Sequence, residues 1–150
     1  MEEKFMKEAL KEAKKAYDKD EVPVGAVIVK DGKIIARAHN LKETKQLPTA
    51  HAEITAIEKA SKKLNNWRLE DCKMYVTLEP CPMCTGAIIN ARIKEIYIAV
   101  EDNISGCCGT VLDLVRKESF SNKNVKVEYG IMQEESSSLL KKFFKNLRKK

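Results

Sequence analysis

Residues 73–84 combine a strand and a helix start, and this junction limits the fold of the whole chain. Lys73–Leu78 predicts a strand, which Glu79-Pro80 ends. A helix is then expected to begin at Cys81-Pro82, because proline suits the first position of a helix. A strand that leads directly into a helix is typical of α/β layer folds.

The alternation of strands and helices continues along the chain. Apolar side chains at a spacing of three to four residues predict an amphipathic helix over residues 3–18. Val24–Val29 predicts a buried strand, and the Asp31-Gly32 turn pairs it antiparallel with Lys33–Ala38. The other predictions are a helix over Ala50–Leu64 with Thr49 as its N-cap, a strand over Lys94–Val100, a short helix over Thr110–Lys117, a strand over Val125–Tyr129 and a helix over Glu134–Leu147, with polar loops over 39–48 and 101–110. The expected fold is therefore α/β with a mixed sheet.

The length and composition fit one compact domain over residues 1–150. With 33% charged residues and no apolar run of roughly 20 residues, the chain is not expected to cross a membrane. The first residues lack the layout of a signal peptide, so we expect a cytoplasmic protein whose five cysteines are reduced.

The last ten residues carry six lysines and arginines and no acid, within a net charge of +6. Two interpretations remain open at this point. The basic end is either a solubilising surface or a contact for a polyanion such as a nucleic acid.

Cys81 and Cys84 form a C-x-x-C pair at the predicted helix start, where free N–H groups favour thiolates. The pair alone fits a redox site of the thioredoxin type as well as it fits zinc. His51 decides between them, because it also lies at a predicted helix start and two such starts can meet at the carboxyl edge of a sheet. Three protein ligands with an open fourth position are typical of catalytic zinc, so we predict that His51, Cys81 and Cys84 bind Zn²⁺.

Glu53 follows His51 by two residues and is predicted to be the catalytic group that moves protons to and from zinc-activated water. In a regular helix, residues two apart point about 200° away from each other. His51 and Glu53 reach one site only if His51 lies in a looser first turn. Without the cysteines, His51 would be interpreted as a surface or capping residue and Glu53 as a partner of the helix dipole.

The remaining thiols and the second histidine are weaker candidates. Cys72 is expected to be an ordinary half-buried thiol. Cys107 or Cys108 could instead close a four-ligand structural site, and His39 is the other histidine that could bind metal.

The H-x-E and P-C-x-x-C motifs identify the chain as similar to the zinc deaminases of the cytidine deaminase superfamily. Over nearly its full length it resembles the bacterial tRNA-specific adenosine deaminases. The stretches that carry the resemblance are Glu21–Val27, His39-Asn40, Pro48–Ile54, Tyr75–Cys84 and Phe143–Arg148.

This resemblance implies a three-layer α/β/α fold with a five-stranded mixed sheet, a homodimer, and one Zn²⁺ in each subunit. It implies hydrolysis of adenosine to inosine at the wobble position of a tRNA anticodon loop. By resemblance, the substrate-binding residues are Asn40, Ala52, Asp102, Asn122, Phe144 and Arg148, and the backbone of Cys84 also lines the pocket.

The sequence departs from the family pattern at Leu47, at Glu101 and in an apparent insertion around residues 121–123, which includes Asn122. Two alternatives are kept. A deaminase of free guanine or cytidine would share the zinc site but would not need the basic C-terminal helix. A non-catalytic RNA-binding module would have four zinc ligands and no role for Glu53.

Overall fold

A computed structural model describes residues 2–115 and 125–148 of the chain. Within these ranges the chain forms five helices and five strands. The helices are α1 (Glu2–Asp18), α2 (Lys42–Lys45), α3 (Ala52–Leu64), α4 (Pro82–Asn90) and α5 (Gln133–Arg148). The strands are β1 (Gly25–Lys30), β2 (Lys33–His39), β3 (Cys72–Leu78), β4 (Glu95–Val100) and β5 (Lys126–Tyr129).

The five strands form one mixed sheet in the order β2-β1-β3-β4-β5. Strand β1 is antiparallel to both of its neighbours, with Ile28 opposite Ala36 on one side and Met74 on the other. Strands β3, β4 and β5 are parallel. Because β1 alone runs in the opposite direction, the carboxyl ends of β2, β3, β4 and β5 all meet at one edge of the sheet.

Helices cover both faces of the sheet. Helices α1 and α5 pack together on one face, where Phe5 and Met6 join Tyr75 and Tyr97 in a buried cluster. The rings of Tyr75 and Tyr97 stack with their centroids 4.6 Å apart. Helices α3 and α4 pack on the other face, against the larger core. The predicted three-layer α/β/α fold with a five-stranded mixed sheet is confirmed.

The close approach of β1 to α1 depends on Gly25. A Cβ atom at Gly25 would lie 2.0 Å from the carbonyl oxygen of Ala9, closer than real atoms come. Glycine at this position lets the strand start under the helix, and so brings the segment before β1 to the carboxyl edge of the other strands.

Helix α3 begins two residues later than the sequence predicts. Ala52 is its first residue, and the N-cap position is occupied by His51 rather than Thr49. The cause is a tight turn before the helix, in which the N–H of His51 donates to the carbonyl oxygen of Thr49 at 2.8 Å. His51 consequently has extended backbone angles of φ −82° and ψ 152°.

Two other segments, one predicted as a loop and one as a helix, also differ from their predictions. The 39–48 loop contains the one-turn helix α2, and β2 extends to His39. The helix predicted over Thr110–Lys117 is wrong for residues 110–115, which form turns and a bridge between Cys108 and Asp113. The N–H of Leu114, which a helix would bond to the carbonyl oxygen of Thr110, donates instead to that of Cys107 at 3.0 Å. Residues 116–117 lie outside the described ranges.

Across residues 2–115 and 125–148, none of the helices combines the length and the apolar character that a membrane span requires.

Candidate active site

A cavity of about 200 Å³ lies at the edge of the sheet where the parallel strands end. One part of its lining follows β2, a second part follows β3 and a third follows β4, which is the usual position of a site in an open α/β sheet. The lining residues are Val22, Val24, Asn40, Lys42, His51, Ala52, Glu53, Leu78, Glu79, Cys81, Asp102 and Ser105.

The three predicted zinc ligands lie together at this cavity. The Nδ1 atom of His51 is 3.4 Å from the Sγ atom of Cys84 and 3.8 Å from that of Cys81. All three ligand atoms lie within 4.8 Å of one another. Because His51 precedes α3 in an extended conformation, its side chain is not held at the helical angle to Glu53. The geometric difficulty foreseen from the sequence therefore does not arise.

The start of α4 places the two thiols. Cys81 is the N-cap residue, with φ −74° and ψ 175°, and Pro82 begins the helix as predicted. Cys84 lies one turn later and is fully buried. A hydrogen bond with Cys84 lowers the pKa of Cys81 to about 4, whereas the same contact and burial raise the pKa of Cys84. The start of α4, where free N–H groups favour negative charge, thus favours a thiolate at Cys81.

Glu53 lies in the first turn of α3 and is only 4% exposed, although it lines the cavity. Burial raises its pKa to about 7, and the neighbouring Cys81 thiolate contributes. A carboxyl group with a pKa near neutrality both accepts and donates a proton at physiological pH, which is the property required of a proton shuttle.

The donor set fits a zinc ion. One imidazole and two thiols converge from two helix starts, and these are the ligand types that zinc prefers. Among the described residues, the candidate metal-binding group contains neither His39 nor a third cysteine. His39 Nδ1 instead contacts Glu12 at 2.9 Å, and its Nε2 lies 3.0 Å from Lys19 Nζ.

The other cysteines have structural surroundings. Cys72 is fully rather than half buried and belongs to the core around α3 and α4. Cys108 is buried, with its sulfur 3.6 Å from the hydroxyl of Thr85. Cys107 is also buried, and its thiol donates to the carbonyl oxygen of Ser105.

Three of the residues expected to bind substrate line the cavity. Asn40 has its amide oriented from both ends, because Nδ2 donates to the carbonyl oxygen of Val22 and Oδ1 accepts from the N–H of Lys42. Ala52 is buried between His51 and Glu53. The carboxylate of Asp102 accepts hydrogen bonds from the backbone and the hydroxyl of Ser105.

Phe144 and Arg148 do not line the cavity. They lie one turn apart on the exposed side of α5, with Arg148 Nε donating to the carbonyl oxygen of Phe144. Phe144 is 41% exposed, whereas the adjacent Phe143 is buried against Tyr17. Asn122 lies outside the described residues.

Lys42, Ser105 and Glu79 also line the cavity, although the sequence pattern does not single them out. The pattern marks Glu79 only as the end of a strand. Its signal was present, because an acid stands between an apolar strand and the Pro-Cys motif, where an unpaired charge would be costly to bury.

Comparison with known proteins identifies the family. The family model of the MafB19-like deaminases matches residues 1–148. The tRNA-specific adenosine deaminase of Bacillus subtilis (strain 168) is 51% identical over 99% of this chain and 92% of its own length. That of Aquifex aeolicus (strain VF5) is 48% identical over 97% and 95%.

A solved structure gives the same result. It comes from biochemical and structural studies of A-to-I editing by tRNA:A34 deaminases at the wobble position of transfer RNA. It matches with a TM-score of 0.87 at 39% identity, over 91% of this chain and 99% of the other. The chain therefore belongs to the MafB19-like deaminases, and among these to the tRNA-specific adenosine deaminases.

Proposed function

We propose that this protein converts adenosine to inosine by hydrolysis at the wobble position of a tRNA anticodon. The observation that carries the proposal is the meeting of His51, Cys81 and Cys84 at one cavity beside the buried carboxyl group of Glu53. The family relationship supports adenosine in tRNA as the substrate.

His51, Cys81 and Cys84 would hold one Zn²⁺ per subunit. When bound, zinc lowers the pKa of water toward about 7 and so supplies a nucleophile at neutral pH. Three protein ligands leave a fourth position for that water.

Glu53 carries out the proton transfers in this proposal. It takes a proton from the attacking water and passes protons to the adenine ring and to the departing amino group. A C6–O bond forms, the C6–N6 bond breaks, and ammonia leaves, so that one water is consumed for each inosine formed. The raised pKa of Glu53 supports this role, because the group must lose and regain a proton in every cycle.

Asn40, Ala52 and Asp102 would bind the target nucleotide and its neighbours in the cavity. A base within a duplex cannot enter such a cavity, whereas an anticodon loop already presents unpaired bases. Asn122, Phe144 and Arg148 would contact the loop outside the cavity. The lysines and arginines of α5 give this surface the positive charge that phosphates require.

A homodimer is part of the proposal. A groove runs along the outward side of α4, and its lining includes small and apolar residues beside two polar ones: Pro82, Gly86, Ala87, Ile89, Asn90, Arg92 and Leu114. Small residues allow a second copy to pack closely. We further propose that residues 1–150 act as one deaminase domain and that the enzyme works on tRNA in the cytoplasm.

The deciding experiment is sequencing of the anticodon loop after incubation of unmodified tRNA with the zinc-loaded protein, since inosine is read as guanosine. Free guanine, cytidine and adenosine are assayed in parallel for released ammonia. Inosine at the wobble position supports the proposal. Release of ammonia from a free base or nucleoside, with unchanged tRNA, would contradict it.

A further inference from the structure

Two buried glutamates lie at the cavity: Glu79 contributes to its lining, and Glu21 lies behind it. Glu21 is 1% exposed and Glu79 is 2% exposed, and the proton-transfer scheme uses neither of them. Buried carboxylates are costly unless hydrogen bonds replace the water they have lost. Both carboxylates obtain those bonds from the backbone of segments that line the cavity.

Glu21 holds residues 40–45, which we call the Asn40 wall. Its two carboxylate oxygens accept the N–H groups of Glu43 at 3.1 Å and Thr44 at 2.6 Å. These are amides of the one-turn helix α2, whose N-cap Leu41 makes no side-chain capping bond. Without Glu21 the amides would lose their acceptor.

The Asn40 wall carries two cavity residues, Asn40 and Lys42. They are tied to each other, because the N–H of Lys42 donates to Asn40 Oδ1 at 3.1 Å. A shift of α2 would therefore turn the amide of Asn40, the group expected to contact the base.

Glu79 holds residues 102–110, which we call the Asp102 wall. One carboxylate oxygen accepts the N–H of Asp102 at 3.1 Å and the hydroxyl of Thr110. The other accepts the N–H groups of Cys108 at 3.0 Å and Thr110 at 3.2 Å. The four bonds fill the acceptor capacity of one carboxylate.

The Asp102 wall is packed directly onto this carboxylate. A Cβ atom at Gly106 would lie 2.5 Å from Glu79 Cδ and 2.5 Å from the carbonyl oxygen of Asp102. Asp102 in turn orients Ser105, the second cavity residue of the wall, through bonds to its backbone and its hydroxyl.

We propose that Glu21 and Glu79 are positioning residues that hold the two walls of the cavity and so set how tightly the enzyme binds its RNA substrate. This inference rests on the proposed function and deepens it. Each carboxylate acts through the residues of its wall, because the target base is expected to meet Asn40 and Asp102.

Glu21→Gln and Glu79→Gln test the proposal with little change in shape. Each carboxylate oxygen faces at least one N–H donor, so the NH₂ group of a glutamine meets a donor in either orientation. Ser136→Ala is the matched control. Ser136 is 1% exposed and its hydroxyl donates to the carbonyl oxygen of Thr77 at 2.6 Å, outside the cavity lining.

The first readout is amide hydrogen exchange in the zinc-loaded protein. Glu21→Gln should accelerate exchange at residues 43 and 44 and leave residues 108 and 110 unchanged. Glu79→Gln should give the reverse pattern. Each variant thus serves as the control for the other, and zinc content should stay at the wild-type value in both.

The second readout is steady-state kinetics with an anticodon stem-loop RNA. Each glutamine variant should raise KM about tenfold, the cost of one buried donor left without its acceptor, and change kcat much less. Ser136→Ala should lower Tm and leave KM unchanged.

Two results would overturn the inference. One is an unchanged KM in both glutamine variants, which would reduce the carboxylates to a structural role. The other is unchanged exchange in both walls. If the wild-type protein forms no inosine, the proposed function fails instead, and the exchange pattern alone decides whether the glutamates hold the walls.

Discussion

The Nδ1 atom of His51 lies 3.4 Å from the Sγ atom of Cys84, although 33 residues separate them in the chain. The contact joins the residue before α3 to the first turn of α4, and these two helices pack side by side on one face of the sheet. Neither helix start forms the metal-binding group alone. The group depends on the packing of both helices.

Replacement of a predicted ligand should remove the metal. In Cys84→Ser and His51→Ala, zinc content should fall well below the wild-type value and inosine formation should stop, because two ligands bind zinc poorly. Metal analysis after dialysis measures this. Cys72→Ala is the control, since Cys72 is an equally buried thiol outside the metal group. Full zinc content in Cys84→Ser would contradict the predicted ligand set.

Replacement of the proton shuttle should leave the metal in place. Glu53→Gln keeps the size of the side chain but cannot carry a proton, so inosine formation should fall by about a hundredfold or more. Zinc content and Tm should stay near the wild-type values. Inosine formation at the wild-type rate by a zinc-loaded Glu53→Gln variant would exclude this mechanism and favour a structural zinc site.

The buried carboxylate of Glu12 should make the free energy of unfolding depend on pH. Burial opposes its charge, but hydrogen bonds with Lys15 and His39 prevail and lower the pKa below its ordinary value of 4.5. A lowered pKa in the folded state stabilises the fold above the unfolded pKa, and this stabilisation is lost as pH falls through the folded pKa.

Urea unfolding of wild type and Glu12→Gln between about pH 7 and pH 3 measures this effect. The difference in the free energy of unfolding should be largest near neutrality and should shrink in acid. Glu58→Gln, at an exposed position in the middle of α3, is the control. A constant difference between wild type and Glu12→Gln would contradict the assignment.

The exposed side of α5 should contribute to RNA affinity. Arg148→Ala should weaken binding of an anticodon stem-loop and reduce the slope of log affinity against log salt by about one, as expected for one lost phosphate contact. Phe144→Ala should weaken binding without changing the slope, because it removes a ring and no charge. Lys63→Ala, an exposed cation on α3, is the control.

Point substitutions are preferable to truncation of α5. Phe143 is buried and packs edge-on against Tyr17 of α1, with ring centroids 6.3 Å apart. Removal of the helix would uncover that contact as well as the basic residues. Equal RNA affinity in wild type, Arg148→Ala and Phe144→Ala would leave α5 with a structural role alone.

Local signals in the sequence were sufficient for most of the sheet and for the cysteine pair of the metal group. The Asp31-Gly32 turn predicts the β1–β2 pair because a two-residue turn leaves little choice of partner. Cys81 and Cys84 are predicted to act together because they are three positions apart at a helix start, and this spacing brings their thiols close together. These interactions extend over a few residues, so a single sequence reveals them.

The missed features depend on contacts between distant segments. The turn before α3 is also held by Leu41, whose N–H donates to the carbonyl oxygen of Ala50, and the non-helical path at Thr110 is held by Glu79. Local propensity shows neither of these distant partners. Glu79 illustrates the reason, since it bonds to residues 23 to 31 positions later in the chain. Only the parallel pairing of β3 and β4 brings those positions within reach.

The division of the cavity lining between helix starts and strand connections has a consequence for how such an enzyme can change over evolution. The predicted ligands and Glu53 lie at the starts of two helices packed on the core, whereas Asn40 and Asp102 lie on connections that leave the sheet after β2 and β4. The proposed hydrolytic residues and the segments proposed to bind the nucleotide therefore occupy separate stretches of the chain. Mutations in those connections can redirect the enzyme to a new RNA while the chemistry is inherited intact.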